Sequence, residues 1–168
     1  MKSFFIFLIF FLLLIFQLAF APRLNIFGVS PNFLFAAALI LVIKKDTPSV
    51  LVWALAVGLA LDLFSSEAFG VYSLSFVFVG WLASVLGKNI LKMTDLFGQA
   101  TLIVLACTTF SILNIFLIKF FYWVSSGSQV YFWFALWRIV PLEVALNILF
   151  SFAMLLIYKK INGLLIRI

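Results

Sequence analysis

The chain alternates between long apolar stretches and short polar breaks. Six apolar stretches follow one another, at residues 4–21, 31–43, 48–64, 69–87, 97–122 and 139–158. Each is a candidate transmembrane helix, because about 20 apolar residues cross the hydrocarbon core of a bilayer. The second stretch is short for an untilted crossing, which leaves a partly buried or re-entrant helix open there. The pattern predicts an all-α membrane protein with six transmembrane helices and short loops, in a single polytopic domain of residues 1–168.

The second stretch begins after a polar break that runs from Pro22 to Ser30. Ser30, Pro31 and Asn32 are typical of a helix start, with a cap followed by proline at the first helical position. We therefore expect Pro31 to open the second helix.

The third break joins two apolar helices through a short acidic hairpin. Asp62 lies near the end of the third stretch, where a carboxylate close to hydrocarbon is costly unless it is paired or hydrated. Ser65 or Ser66 can cap the next helix, and Glu67 in its first turn would complement the helix dipole. The sequence predicts a rigid polar hairpin that ends at Gly70.

Small residues follow one face of the third stretch and one face of the fourth. Ala54, Gly58 and Asp62 recur every four residues, and Ser73, Gly80, Ser84 and Gly87 lie along the fourth stretch. Small side chains let two helix backbones approach closely inside a membrane. These faces are expected either to pack against each other or to accept a helix from a partner.

Charge gives the expected orientation. The net charge is +6, and the basic residues lie at the ends of the apolar stretches rather than on a face that could follow nucleic acid. One side of a six-helix arrangement would hold Lys2, Lys44, Lys45, Lys88, Lys92, Lys159, Lys160 and Arg167. The positive-inside rule then predicts that both termini are cytoplasmic and that the acidic hairpin faces outward.

Four charged residues are expected inside the membrane or at its outer boundary. With a helical rise of 1.5 Å per residue, Lys119 and Glu143 are expected at similar depth in the membrane. We hypothesise two interhelical ion pairs, Asp62 with Arg138 and Lys119 with Glu143, or the same residues with partners exchanged.

Catalysis is not expected. The chain has no histidine, which removes the commonest general base and metal ligand, and Asp62 has no second intramembrane aspartate beside it. The single cysteine, Cys107, allows no internal disulfide. No metal or cofactor site is expected. The first stretch also resembles a signal peptide, and we expect it to remain as an uncleaved helix.

Two groups of residues resemble the MreD family of rod-shape proteins. They are Ser30-Pro31-Asn32-Phe33 before a short second helix, and Gly58, Asp62-Leu63-Phe64-Ser65 and Gly70-Val71 at the hairpin. Members commonly carry Ser-Gly after the Asp-Leu stretch, whereas this chain has Ser65-Ser66.

The resemblance implies a non-enzymatic adaptor in the bacterial cytoplasmic membrane. Its implied partners are an MreC-like single-pass protein directly, the MreB filament and RodA with its transpeptidase indirectly, and membrane lipid. A second copy of this chain is another expected partner. The family is similar in fold to the substrate-binding components of energy-coupling-factor vitamin transporters. The alternative function is therefore capture of a small vitamin from outside. A vitamin site would need outward loops long enough to close over a ligand and several converging polar groups. The outward loops at 65–68 and 125–130 are short and simple, which favours the scaffold.

Overall fold

A computed structural model describes residues 2–44, 47–89, 91, 95–126 and 132–165. The helices are α1 (Lys2–Phe20), a 3₁₀ helix (Ala21–Leu24), α2 (Phe33–Lys44), α3 (Thr47–Phe64), α4 (Val71–Asn89), α5 (Leu96–Ser126) and α6 (Phe132–Leu165). The all-α fold with six α-helices is as predicted. The sixth α-helix begins earlier than predicted, because the aromatic residues before Trp137 continue the helix.

The six helices differ in how well their length suits a membrane crossing. Three contain segments long and apolar enough to cross, namely Val71–Lys88, Leu96–Ser125 and Trp137–Lys160. The shorter apolar segments are Phe10–Leu24, Phe33–Val42 and Ser49–Phe64. Six crossings and the side on which the termini lie stay predictions. Lys45, Lys92 and Arg167, which the orientation argument uses, lie outside the described residues.

The short helix α2 lies at the centre of the bundle and contacts the other five α-helices. Residues 31–36 are all buried. Phe35 of α2 stacks on Phe110 of α5 with ring centroids 4.1 Å apart, and Phe76 of α4 meets both rings edge-on at 5.7 and 5.3 Å. A helix that is apolar on every side is stable where other helices surround it, which is the place α2 takes.

Helices α3 and α4 pack closely through their small-residue faces. A Cβ atom on Gly58 would overlap the backbone of Ser73, including its nitrogen at 2.9 Å. A Cβ atom on Gly80 would meet the Ala54 side chain at 3.4 Å and that of Val50 at 3.7 Å. Ser84 is also buried. Of the two alternatives for these faces, the structure has the first, in which they pack against each other within the chain.

Residues 21–32 connect α1 to α2 through a tight turn. Ile26 and Val29 exchange backbone hydrogen bonds of 2.9 and 3.0 Å. Phe27 and Gly28 both have positive φ, and the Gly28 N–H donates to Asn25 Oδ1 at 2.7 Å. We call the end of the bundle that holds residues 21–32 and 65–70 the hairpin end.

Candidate functional site

The start of α4 is held by Asp62, which projects from the last turn of α3 and is 4% exposed. Its Oδ1 accepts the Tyr72 N–H at 2.9 Å, and its Oδ2 accepts the Ser73 N–H at 3.0 Å and the Ser73 hydroxyl at 2.5 Å. The first N–H groups of a helix have no partner within the helix and carry its positive dipole end. These contacts stabilise the carboxylate, whose burial the sequence alone left unexplained.

The residues expected to cap α4 do not cap it. Residues 65–67 form a bend, and α4 begins only at Val71, so Glu67 lies outside its first turn. The Ser65 hydroxyl oxygen is buried and has no hydrogen-bond partner among the described residues. Gly70 precedes the helix with a φ of 103°, a conformation that side-chain-bearing residues rarely adopt. The capping prediction was wrong because Asp62 reaches across from α3 and takes that role.

The start of α2 is capped by Asn32 rather than opened by Pro31. Asn32 Oδ1 accepts the Phe35 N–H at 2.9 Å, and its own C=O accepts the Ala36 N–H at 3.1 Å. This is the usual geometry of an asparagine cap. Pro31 is buried and lies before the helix. The prediction that Pro31 opens α2 was wrong, because the helix begins two residues later, at Phe33.

Two further helices complete the cap of α2. Gln17 of α1 accepts the Phe33 N–H at 2.7 Å through Oε1 and donates from Nε2 to the Pro31 carbonyl at 3.0 Å. Asn147 of α6, which is fully buried, accepts the Asn32 N–H at 2.9 Å. Side chains from α1 and α6 thus bind the N–H groups of Asn32 and Phe33 and the carbonyl of Pro31, which have to be paired because they lie inside the bundle.

Sequence reasoning missed both Gln17 and Asn147. Gln17 is the only strongly polar residue in the first apolar stretch, and Asn147 lies between apolar residues in the last one. A lone amide in a membrane helix is expensive unless it is paired inside the protein. That signal was present, but it did not show which backbone the amides would meet.

A cavity of about 660 Å³, lined by both polar and apolar side chains, lies at the hairpin end, beside both helix starts. Its polar lining includes Gln17, Asn32, Ser65, Glu67, Tyr72, Asn114, Lys119 and Glu143. Several polar groups therefore converge at this end, although the loop at residues 65–68 is short. The cavity lies beside the first turn of α2, and residues of α1, α3, α4, α5 and α6 also line it.

The charged residues predicted to pair lie close to this cavity. Lys119 and Glu143 line it together, while Arg138 is exposed on α6. Tyr72, whose N–H donates to Asp62, lines the same cavity as Glu67 and Glu143. The two specific ion pairs stay predictions.

A family model for the rod shape-determining protein MreD matches residues 1–161. The chain belongs to the MreD family. The resemblance seen at residues 30–33 and 58–71 is thus confirmed over nearly the whole chain. No curated protein and no solved structure matches it, so the likeness to vitamin-transporter components stays a prediction.

Membership in the MreD family supports a role in rod-shape determination. This is a family of shape-determining membrane proteins that is not known for an enzymatic activity, and the apolar helices of the chain agree with a membrane location. The buried polar side chains that the structure describes at α2 and α4 hold helix starts, which is a structural task.

Proposed function

We propose that the protein is a non-enzymatic, multi-pass scaffold in the bacterial cytoplasmic membrane, where it helps to organise lateral peptidoglycan synthesis. The observation that carries this proposal is the family match over residues 1–161. The capped starts of α2 and α4 support it, because a scaffold needs helices held in a fixed arrangement. The MreB filament and RodA with its transpeptidase would be organised indirectly.

The direct partner in this proposal is the transmembrane helix of an MreC-like single-pass protein. The small faces of α3 and α4 are used within the chain, so the partner helix packs on their outer faces. Leu59 of α3 and Phe78 of α4 are exposed there. The tight packing at Gly58 fixes the two helices relative to each other and so gives the partner a constant surface.

Site-specific photo-crosslinking tests this surface. A photoreactive amino acid is placed at Leu59 or Phe78, with Leu105 and Ile112 on α5 as exposed controls of the same apolar character. We expect crosslinks to the MreC-like partner from the α3 and α4 positions and not from the α5 positions. Crosslinks from α5 alone, or none from any position in a complex that co-purifies, would contradict the docking surface.

The proposal also includes six membrane crossings with both termini in the cytoplasm. Lys44 ends α2, Lys88 lies in the last turn of α4, and Lys159 and Lys160 lie near the end of α6, all away from the hairpin end. This distribution supports a cytoplasmic location for the end of the bundle opposite the hairpin end. Of the three helices with shorter apolar segments, α2 packs against α4, α5 and α6, and α3 packs against α4.

Cysteine labelling tests the orientation in a chain whose own Cys107 is replaced by alanine. Ser66→Cys should react in whole cells with a membrane-impermeant maleimide, because Ser66 is exposed at the hairpin end. Lys88→Cys, exposed at the other end, should react only after the membrane is permeabilised. The reverse pattern, or labelling of both from outside, would refute this topology.

A second candidate function is capture of a small soluble molecule such as a vitamin. The cavity of about 660 Å³ favours it, since ligand sites commonly measure about 300–1,000 Å³ and hold a few converging polar groups. Mass spectrometry of the organic extract from purified protein separates the two functions. A stoichiometric vitamin would favour capture, and its absence from protein that retains the MreC-like partner would favour the scaffold.

A further inference from the structure

Among the described residues, more acidic than basic side chains line the hairpin cavity. Glu67 and Glu143 contribute two carboxylates, and Lys119 contributes one ammonium group. Glu67 Oε2 is buried and accepts no hydrogen bond from the described residues. A buried carboxylate oxygen without a donor is costly, so the site is suited to a ligand that brings a positively charged hydrogen-bond donor.

The cavity continues onto the apolar outer surface of the bundle. Leu18 of α1, Phe64 of α3 and Ile139 of α6 all line it and are also exposed, by 38%, 62% and 37%. In the six-crossing arrangement proposed above, these side chains would face lipid at the level of the headgroups. A cavity with charged groups inside and an apolar rim suits an amphiphile, whose head enters while its acyl chains stay outside.

We propose that the hairpin cavity binds the phosphoethanolamine headgroup of a membrane phospholipid. The ammonium group lies against Glu67 and Glu143 and donates to the unpaired oxygen of Glu67, while Lys119 contacts the phosphate. This arrangement balances the local charge, because a zwitterion offers one cation to the carboxylates and one anion to the lysine. The inference goes beyond the scaffold function, which requires no ligand.

A soluble molecule with the same head would meet the same charges. The apolar rim separates the two sources, since free phosphoethanolamine gains nothing from Leu18, Phe64 or Ile139. The lipid is therefore expected to bind more tightly than the free head. Phosphatidylcholine is the sharpest negative probe, because its trimethylated ammonium has no N–H to donate to Glu67.

Native mass spectrometry of the full chain released from lipid nanodiscs measures this preference. We expect retention of phosphatidylethanolamine over phosphatidylcholine and phosphatidylglycerol by at least about tenfold, the effect of one charge-assisted hydrogen bond. Glu67→Gln should remove most of that preference. Asp95→Asn, which removes an exposed carboxylate outside the cavity, should keep it.

Thermal unfolding of each variant separates a lost site from a lost fold. If Glu67→Gln does not fold, Lys119→Gln provides the second test, since it should weaken retention through the phosphate contact. Equal retention of the three lipids by the wild-type chain would overturn the proposal. So would an unchanged preference in folded Glu67→Gln, unchanged retention of phosphatidylethanolamine in folded Lys119→Gln, or free phosphoethanolamine that competes as well as the lipid.

Discussion

The starts of α2 and α4 meet the same physical demand in different ways. Both helices begin away from water, with N–H groups that need acceptors. At α4 the acceptor is a carboxylate, Asp62, only ten and eleven residues away from the donors. At α2 the acceptors beyond the Asn32 cap are two neutral amides, Gln17 and Asn147, at separations of 16 and 115 residues.

The difference follows from connectivity. The α4 start follows a short hairpin, so the end of α3 is close enough to supply a carboxylate, which interacts favourably with the helix dipole. The α2 start lies between α1 and α6 and is held by neutral amides, which avoid the larger cost of a buried charge. One helix start is thus held by a carboxylate from the preceding helix, and the other by amides from two other helices.

Replacing Asp62 should have the largest effect. Asp62→Ala leaves two backbone N–H groups without their acceptor, at about 1–3 kcal/mol for each group, while the Ser73 hydroxyl keeps the Gly70 carbonyl at 3.3 Å. Because such losses are not additive, we expect the free energy of unfolding to fall by about 3 kcal/mol or more. Reversible unfolding in mixed micelles measures this. Asp62→Asn keeps an acceptor and should lose less, and an Asp62→Ala chain as stable as wild type would show that the carboxylate does not hold α4.

The contact between α3 and α4 should be next in sensitivity. Gly58→Ala brings a Cβ atom onto the Ser73 backbone, and overpacking of this kind costs about 1–3 kcal/mol. Gly80→Ala is the matched control, because its Cβ atom would make ordinary contacts with Ala54 and Val50. We expect unfolding stability to fall in the first variant and to stay at the wild-type level in the second. Equal behaviour of the two would remove the case for close backbone approach at Gly58.

The deep cap of α2 should respond less strongly than Asp62. Asn147→Leu leaves the Asn32 N–H without an acceptor, at about 1–3 kcal/mol. The same change removes the Asn147 Nδ2 donor, which has no partner among the described residues, so part of the loss is offset. We therefore expect the free energy of unfolding, measured in mixed micelles, to fall by about 1–2 kcal/mol. A loss larger than that of Asp62→Ala would reverse the proposed ranking of the two caps.

Gln17 should show the smallest effect of the four. Gln17→Met keeps the size of the side chain and removes the bonds to the Phe33 N–H and the Pro31 carbonyl. Gln17 is only partly buried and lines the cavity, so water can replace these bonds and the cost should be about 1 kcal/mol or less. Hydrogen exchange at the Phe33 amide should become faster while the Tyr72 amide is unaffected. Faster exchange at both amides would mean that the two starts are coupled.

What the sequence could predict depended on the distance between interacting residues. The six apolar helices and the acidic hairpin are local patterns, and Asp62 was recognisable as a buried carboxylate that needed partners. Its actual partners required the geometry of the hairpin, since Ser65 and Ser66 are equally good caps by residue type. The Asn147 contact spans 115 residues and depends on α6 packing beside α2, which no local pattern indicates.

The cavity was missed for a related reason. The outward loop at residues 65–68 is short and gave no sign of it, because the space lies between helices beside the first turn of α2. Pro31 was expected to open α2, whereas the helix begins at Phe33. Only the packing of the longer helices around α2 reveals that Glu67, Lys119 and Glu143 face a common space.

Amide hydrogen exchange in nanodiscs tests most directly the claim that side chains from other helices hold both helix starts. The account predicts strong protection of the Phe33, Tyr72 and Ser73 amides in the wild-type chain, and loss of protection at Tyr72 and Ser73 alone in Asp62→Ala. Rapid exchange at these amides in the wild-type chain, or unchanged protection of Tyr72 and Ser73 in the variant, would contradict it.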